Sequence, residues 1–157
     1  MLTARSSFHP VRPCSAQPHQ KTKGSDALTL TFLSGRYAVC KLNSWPDEST
    51  IASLPGRLVF FARTDQEISL VCEERAVPAG CLSVETGWAA LRLEGPLDFS
   101  LTGVLAPIAS RLAEEQIPIF AVSTYDTDYL LLRQKNRERT KATLSEAGYT
   151  IRDEQKE

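Results

Sequence analysis

The chain has 157 residues, 42% of them hydrophobic and 24% charged, with a formal net charge of -1, which is the makeup of one ordinary globular domain or two very small ones. That charge gives no long-range attraction for nucleic acid or a membrane surface, and no apolar run approaches the roughly 20 residues that span a bilayer. Cys14, Cys40, Cys72 and Cys81 form no CxxC pair and fit no zinc spacing, and both histidines, His9 and His19, lie near the N-terminus, so the remainder lacks Ser-His-Asp and Cys-His relays and His-bearing zinc sites.

Residues 1–25 contain no acidic residue, four basic ones and three prolines, and read as a disordered tail. The same acid-free, Arg- and Ser-bearing composition also suits an organellar transit peptide; the apolar stretch of a secretory signal is missing. Order is expected from Asp26. "ALTLTFLSGRYAVCKL" alternates apolar and polar residues on both sides of Ser34-Gly35, a hairpin signal with glycine at the turn. "WPDESTIASL" predicts a short helix, with Pro46 early and Asp47 and Glu48 at the positive end of the dipole. "RLVFFART" and "EISLVCEE" predict two strands joined at Asp65-Gln66, and "VPAG" closes the first half.

The second half is more regular. "GWAALRLEG" predicts a strand over 87–95. "LTGVLAPIASRLAEEQ" predicts a helix over 101–116, because Leu101, Val104, Leu105, Ile108 and Leu112 share one stripe. Ser100 or Thr102 can cap it, and Pro107 costs it one backbone hydrogen bond. "IPIFAVST" and "YLLLRQ" predict strands joined by "YDTD". "NRERTKATLSEAG" predicts a helix with Gly148 at its C-terminal cap, and "YTIRD" a last strand. The order β-α-β-β-α-β is the split ferredoxin-like arrangement, an α+β fold with helices on one face of an antiparallel sheet. "RTDQEISLV" can be laid on "TYDTDYLLL" 61 residues later, Asp65 on Asp126 and Glu67 on Asp128, which points to two copies of one unit.

"LRLEGPLDFSLTGVLAPIASRLAEEQIPIFAVSTYDTDYLLL" resembles the ACT-domain family related to the CASTOR-type cytosolic arginine sensors, and "FARTDQEISLVCEERAVP" is similar to that family's first, degenerate unit. The resemblance covers residues from about 27 to 151. It implies tandem ACT units, a first, degenerate one over 26–82 and a second over 83–153, and ligand binding at unit interfaces without catalysis. Carried over by position, it implies an amino-acid pocket made by Gly95, Asp98 and Ser100 on the strand–helix loop and by Thr124, Tyr125 and Asp128 on the facing hairpin. The longer sensors hold roughly two copies of what this chain holds once, which implies a homodimer, in keeping with the prevalence of two-fold oligomers. A cytoplasmic location follows from the resemblance, with organellar import as the alternative left by the tail. The chain departs from the pattern at Arg137 and Thr140, which stand where an apolar helix face is expected, and in its pocket-loop residues, which differ from those of the arginine sensors.

The residues themselves leave choices open. Asp126 is a turn former that bonds its own backbone. Asp128 opens a strand of leucines, where a carboxylate needs a partner: a ligand ammonium, a backbone N–H or an arginine. Asp98 precedes a helix whose first N–H groups are unpaired, so it caps that helix or, with Gly95, Ser100 and Thr102, helps cradle the two poles of an amino acid. Gly103 is expected where backbone must approach a ligand or a strand closely. Three functions remain: a non-catalytic module binding a free amino acid or similar small molecule, with no cofactor; a partner-binding structural subunit with a vestigial pocket; and a carboxylate enzyme using Asp98 and Asp128 with Mg²⁺. The third lacks any phosphate loop or nucleophile motif.

Overall fold

In a computed structural model describing residues 28–96 and 102–155, the chain runs β1 (Thr29–Phe32), β2 (Tyr37–Leu42), α1 (Glu48–Ser53), β3 (Phe60–Arg63), β4 (Ile68–Glu73), β5 (Cys81–Leu93), α2 (Leu105–Glu114), β6 (Ile119–Ser123), β7 (Asp128–Arg133), α3 (Arg137–Glu146) and β8 (Thr150–Asp153). The expected tail lies outside the described residues. The strands make one sheet of order β3-β4-β2-β5-β1-β8, with β7 and then β6 on the other side of β5. This is the expected α+β, ferredoxin-like fold.

The hairpin expected about Ser34-Gly35 does not form. β1 and β2 run in the same direction, and both pair antiparallel with β5, β1 through Leu30–Leu93 and Phe32–Leu91, β2 through Tyr37–Trp88 and Leu42–Cys81. β5 has 13 residues, enough for two short partners end to end. The Leu33 N–H bridges the gap to the Ala90 carbonyl at 2.9 Å, and Gly35, at φ 89°, kinks the chain without reversing it. Alternation fixes which face a strand buries but not which strand it pairs with, so the pattern reads alike in both topologies. β8 also departs from a simple split arrangement. It lies parallel to β1, Thr29 opposite Thr150 and Phe32 opposite Asp153, so β1 sits between it and β5.

The helices form for local reasons. Asp47 caps α1, accepting the Thr50 N–H at 2.7 Å. α2 begins at Leu105, four residues later than expected, with Val104 at the cap and no side-chain cap bond. Thr102 therefore does not cap it, and the alternative, Ser100, lies outside the described residues. The later start also removes the expected cost of Pro107. It now falls in the first turn, where the N–H has no intrahelical partner anyway. Gly148, at φ 92°, ends α3, and the Tyr149 N–H turns back to the Leu144 carbonyl at 3.1 Å.

Packing follows the pleat. Leu30, Phe32, Ala89, Leu91, Leu93, Leu130 and Leu132 meet Ile108 and Leu112 of α2 and Leu144 of α3. Ala38, Cys40, Leu42, Leu70 and Cys72 form the corresponding cluster in the first half. Tyr37, Val71, Ala90, Val122 and Leu131 point to the opposite, helix-free face and are buried in one cluster drawn from both halves. α3 docks despite its polar face. Thr140 and Thr143 are small enough to be buried with Leu144, while the Arg137 guanidinium stacks on Phe32 with its carbon 4.4 Å from the ring centre and pairs with Asp153 at 2.7 Å.

The internal repeat is real, but its offset is 60 residues. Phe60 faces Val71 in the first hairpin and Phe120 faces Leu131 in the second. The Thr64 N–H donates to the Glu67 carbonyl and the Thr124 N–H to the Thr127 carbonyl, each at 2.9 Å. A single 3₁₀ turn follows each hairpin, Glu74–Ala76 and Gln134–Asn136. The 61-residue alignment, which set Asp65 on Asp126 and Glu67 on Asp128, is off by one. Asp65 corresponds to Tyr125, Glu67 to Thr127, and Asp128 to Ile68.

Candidate functional site

The hairpin from Ser123 to Asp128 is a tight two-residue turn, with Tyr125 and Asp126 at its tip. The Thr124 hydroxyl adds a second bond to the Thr127 carbonyl, at 3.0 Å. The Thr127 hydroxyl donates in turn to the carbonyl of Leu93, the last residue of β5. That bond ties the hairpin to the start of the strand–helix loop, so Thr124, Tyr125 and Asp128 lie at the same end of the sheet as Gly95. Asp98 and Ser100 lie outside the described residues.

Ser123 and Asp128 are cross-strand partners. The Ser123 hydroxyl donates to Asp128 Oδ1 at 2.5 Å, so the partner that Asp128 needs beside its leucine run is in part a neighbouring serine. Among the described residues, none donates a hydrogen bond to the second carboxylate oxygen. Asp128 is half-buried, Gly95, Thr124 and Asp126 are exposed, and Tyr125 is 79% exposed. Below the loop, Glu94 is held ionised: the Thr31 hydroxyl and then Arg92, at 2.8 Å, keep its carboxyl below the usual range. The Glu94 N–H donates to the Thr29 carbonyl at 2.8 Å, which fixes where the loop leaves the sheet. Gly103 does not approach a strand closely: among the described residues nothing lies within 4 Å of where its Cβ would be, and its φ is 76°.

Sequence reasoning missed Ser123 and Thr127. Both become legible once Thr124–Thr127 is taken as a two-residue turn, because that register sets Ser123 opposite Asp128.

Two open grooves mark the first half. One, of about 940 Å³, is lined by Gly35, Arg36, Arg57, Glu73, Glu74 and Arg75 among others. Its charges close on one another: Arg75 with Glu73 at 2.6 Å, Arg57 with Glu154 at 3.2 Å and Arg36 with Glu74 at 3.4 Å. The other, of about 570 Å³, lies between the β2–α1 loop at Asn43, Ser44 and Pro46 and the segment Pro78–Gly80. Among the described residues no three His, Cys, Asp or Glu side chains converge to hold a metal, and no helix is long and apolar enough to cross a membrane. Cys40 and Cys72 are buried, and burial pushes their thiols up to about 12 and about 11, as suits small core side chains.

Residues 83–146 match the profile of the ACT domain. The structure is similar to that of a protein from Agobacterium tumefaciens, at 31% identity and a TM-score of 0.73 over 84% of this chain and 97% of that one. The chain belongs to the ACT-domain family. At 22% identity and a TM-score of 0.61, over 76% and 89% of the two chains, it also shares its fold with a Vibrio cholerae protein of unknown function described as a possible transport protein. Aspartate kinase from Synechocystis contains the same fold: identity is 16% and the TM-score 0.63 over 83% of this chain and 28% of the kinase. So does the regulatory subunit of aspartate kinase from Thermus thermophilus, at 9% and 0.52 over 72% and 93%. A search of curated proteins gives no match.

Proposed function

We propose that this chain is a non-catalytic regulatory module that binds a free amino acid or a close analogue at the end of the sheet where the Ser123–Asp128 hairpin meets the loop after β5, and that it works as a homodimer. The observation that carries this reading is the bond from the Thr127 hydroxyl to the Leu93 carbonyl, because it holds a carboxylate-bearing turn beside a strand–helix loop in a family whose members sense small molecules. In this reading Asp128, with one oxygen on Ser123 and the other available, takes the ligand's positive charge. Asp98 and the backbone around Gly95 and Ser100 form the facing wall, Thr124 and Tyr125 line the opening, and Asp126 shapes the turn. The fold likeness to the regulatory subunit of an aspartate kinase supports a regulatory output, and the resemblance to arginine sensors puts arginine first in the panel to be screened.

The exposure of the described hairpin favours one second reading, a partner-binding subunit whose pocket is vestigial. A thermal-shift panel of free amino acids and nucleotides separates the two. A ligand that binds only the folded chain raises its stability by about 2.7 kcal/mol at a hundredfold excess over Kd. A shift with one amino acid that is lost in Asp128→Asn upholds the sensor reading. A flat panel sinks it and leaves the partner-binding reading.

A further inference from the structure

The two halves treat their outer strands differently. Cys40 and Leu91 hold matching places, Cys40 facing Leu70 of β4 and Leu91 facing Leu130 of β7, the 60-residue repeat again. Across the central ladder Cys40 faces Val84 and Leu91 faces Phe32, so Val84 is the counterpart of Phe32. Phe32 is fully buried, with Arg137 of α3 stacked on it and β8 along its strand. Val84 is 39% exposed, and Leu82, the extra residue where Lys41 pairs with Ser83 and Leu42 with Cys81, is 61% exposed. The cause lies in the connections. After its 3₁₀ turn the second half continues into α3 and β8, whereas the first goes straight through Val77–Gly80 into β5.

The vacancy is also an open edge. β7 joins β5 only from Trp88 onward, and Arg133 reaches back as far as the Thr86 carbonyl, at 2.9 Å, and the Glu85 carboxylate, at 2.8 Å. Among the described residues, Cys81–Val84 pair with β2 alone. Open edges are ordinarily blunted by charge or proline. Pro118 precedes β6, Pro55 and Arg57 precede β3, and Arg152 and Asp153 end β8. Cys81-Leu82-Ser83-Val84 carries neither within itself, although Pro78 precedes it and Glu85 follows it.

We propose that this edge pairs antiparallel with the same edge of a second copy, about a two-fold axis at Ser83. This rests on the homodimer reading above and names its surface. The segment is its own complement in that register: Leu82 of each protomer falls opposite Val84 of the other, and the four apolar side chains cover one another where α3 and β8 cover Phe32. Glu85 falls opposite Cys81, so no like charges meet, and Glu85 keeps its arginine.

Sedimentation velocity on the full chain tests this, with Leu82→Lys, Val84→Lys and Ser83→Cys. The wild type is expected at twice the chain mass of 17.4 kDa. Each lysine variant is expected to weaken association about tenfold or more with an unchanged circular dichroism spectrum, since both side chains are exposed in the single chain. Ser83→Cys is expected to give a covalent dimer on a non-reducing gel under mild oxidation, beyond any that native Cys81 gives in the wild type. A monomer at every concentration overturns both the dimer and this surface. A dimer that survives both lysine substitutions overturns this surface alone. If a lysine variant fails to fold, the Ser83→Cys cross-link decides: its appearance upholds the register and its absence overturns it.

Discussion

Tyr37 and Trp88 face each other across the β2–β5 ladder, and each holds the same place in its own half. Tyr37 pairs with Glu73 on β4, Trp88 pairs with Arg133 on β7, and Glu73 and Arg133 are 60 residues apart, the spacing of the repeat. The local two-fold relation between the halves therefore passes between these two rings. Both point to the helix-free face, in the cluster that joins the halves.

Tyr37→Ala should therefore be costly out of proportion to one residue. The side chain is fully buried, and removing a large buried aromatic costs about 3–5 kcal/mol. Tyr37→Phe keeps the packing and loses only the bond from the hydroxyl to the Ser34 carbonyl, 3.2 Å long, so about 1 kcal/mol is expected. Urea titration reads both. Equal losses would mean that the hydroxyl, not the ring, holds the seam.

Gly56→Ala should destabilise more than Gly80→Ala. Both glycines lie in the left-handed region, at φ 111° and 82°, but a Cβ at Gly56 would sit 2.7 Å from Glu73 Oε1, while one at Gly80 meets nothing within 4 Å. The first substitution must also displace a carboxylate held by Arg75 at 2.6 Å. An excess cost of about 1 kcal/mol over Gly80→Ala is expected. Similar denaturation midpoints for the two variants would show that Glu73 swings aside freely.

Much of this fold is legible in the sequence, and the failures share a cause. The short helix after Asp47, the two hairpin turns and the βαββαβ order follow from local patterns. The pairing of β1 and β2 with β5, and of β8 with β1, does not, because alternation at Leu30–Phe32 and Tyr37–Leu42 says nothing about the partner. The Ser123–Asp128 bond was hidden by the one-residue error in the repeat. Aligning by acidic residues put Asp65 on Asp126, whereas the backbone aligns by Thr64 and Thr124. At Asp98 and Ser100 the expectation lies outside the described residues, so that wall of the site rests on the family resemblance.

The docking of α3 should weaken in acid. Asp153 accepts from Lys141 and Arg137, both at 2.7 Å, and those two bonds hold its carboxyl below its ordinary value of 3.8. A carboxyl whose folded pKa is depressed contributes fully above its unfolded value and loses that contribution as pH falls through the folded one. The loss should begin below about pH 4. Since Asp153 is exposed, screening limits it to about 1 kcal/mol or less. Thermal melts of wild type and Asp153→Asn, stepped from about pH 6 to about pH 3, should differ at the upper end and converge at the lower. A constant difference would assign the effect to packing.

Asp128 and Asp126 sit two residues apart in one turn and should behave differently. Asp128 is half-buried beside Leu130–Leu132, with its Oδ1 on Ser123. Asp126 is exposed at the tip of the turn. A charge-assisted bond to a ligand ammonium contributes about 1.5–3 kcal/mol, so Asp128→Asn should weaken binding about ten- to a hundredfold and leave the melt close to wild type. Asp126→Asn should do much less. Ser123→Ala should fall between them, because it removes the group that orients Asp128 but leaves the charge. Calorimetry with the amino acid that shifts the melt most reads all three. Equal losses at Asp126 and Asp128 would point to a shared cation, and wild-type binding in Asp128→Asn would reduce the turn to scaffolding.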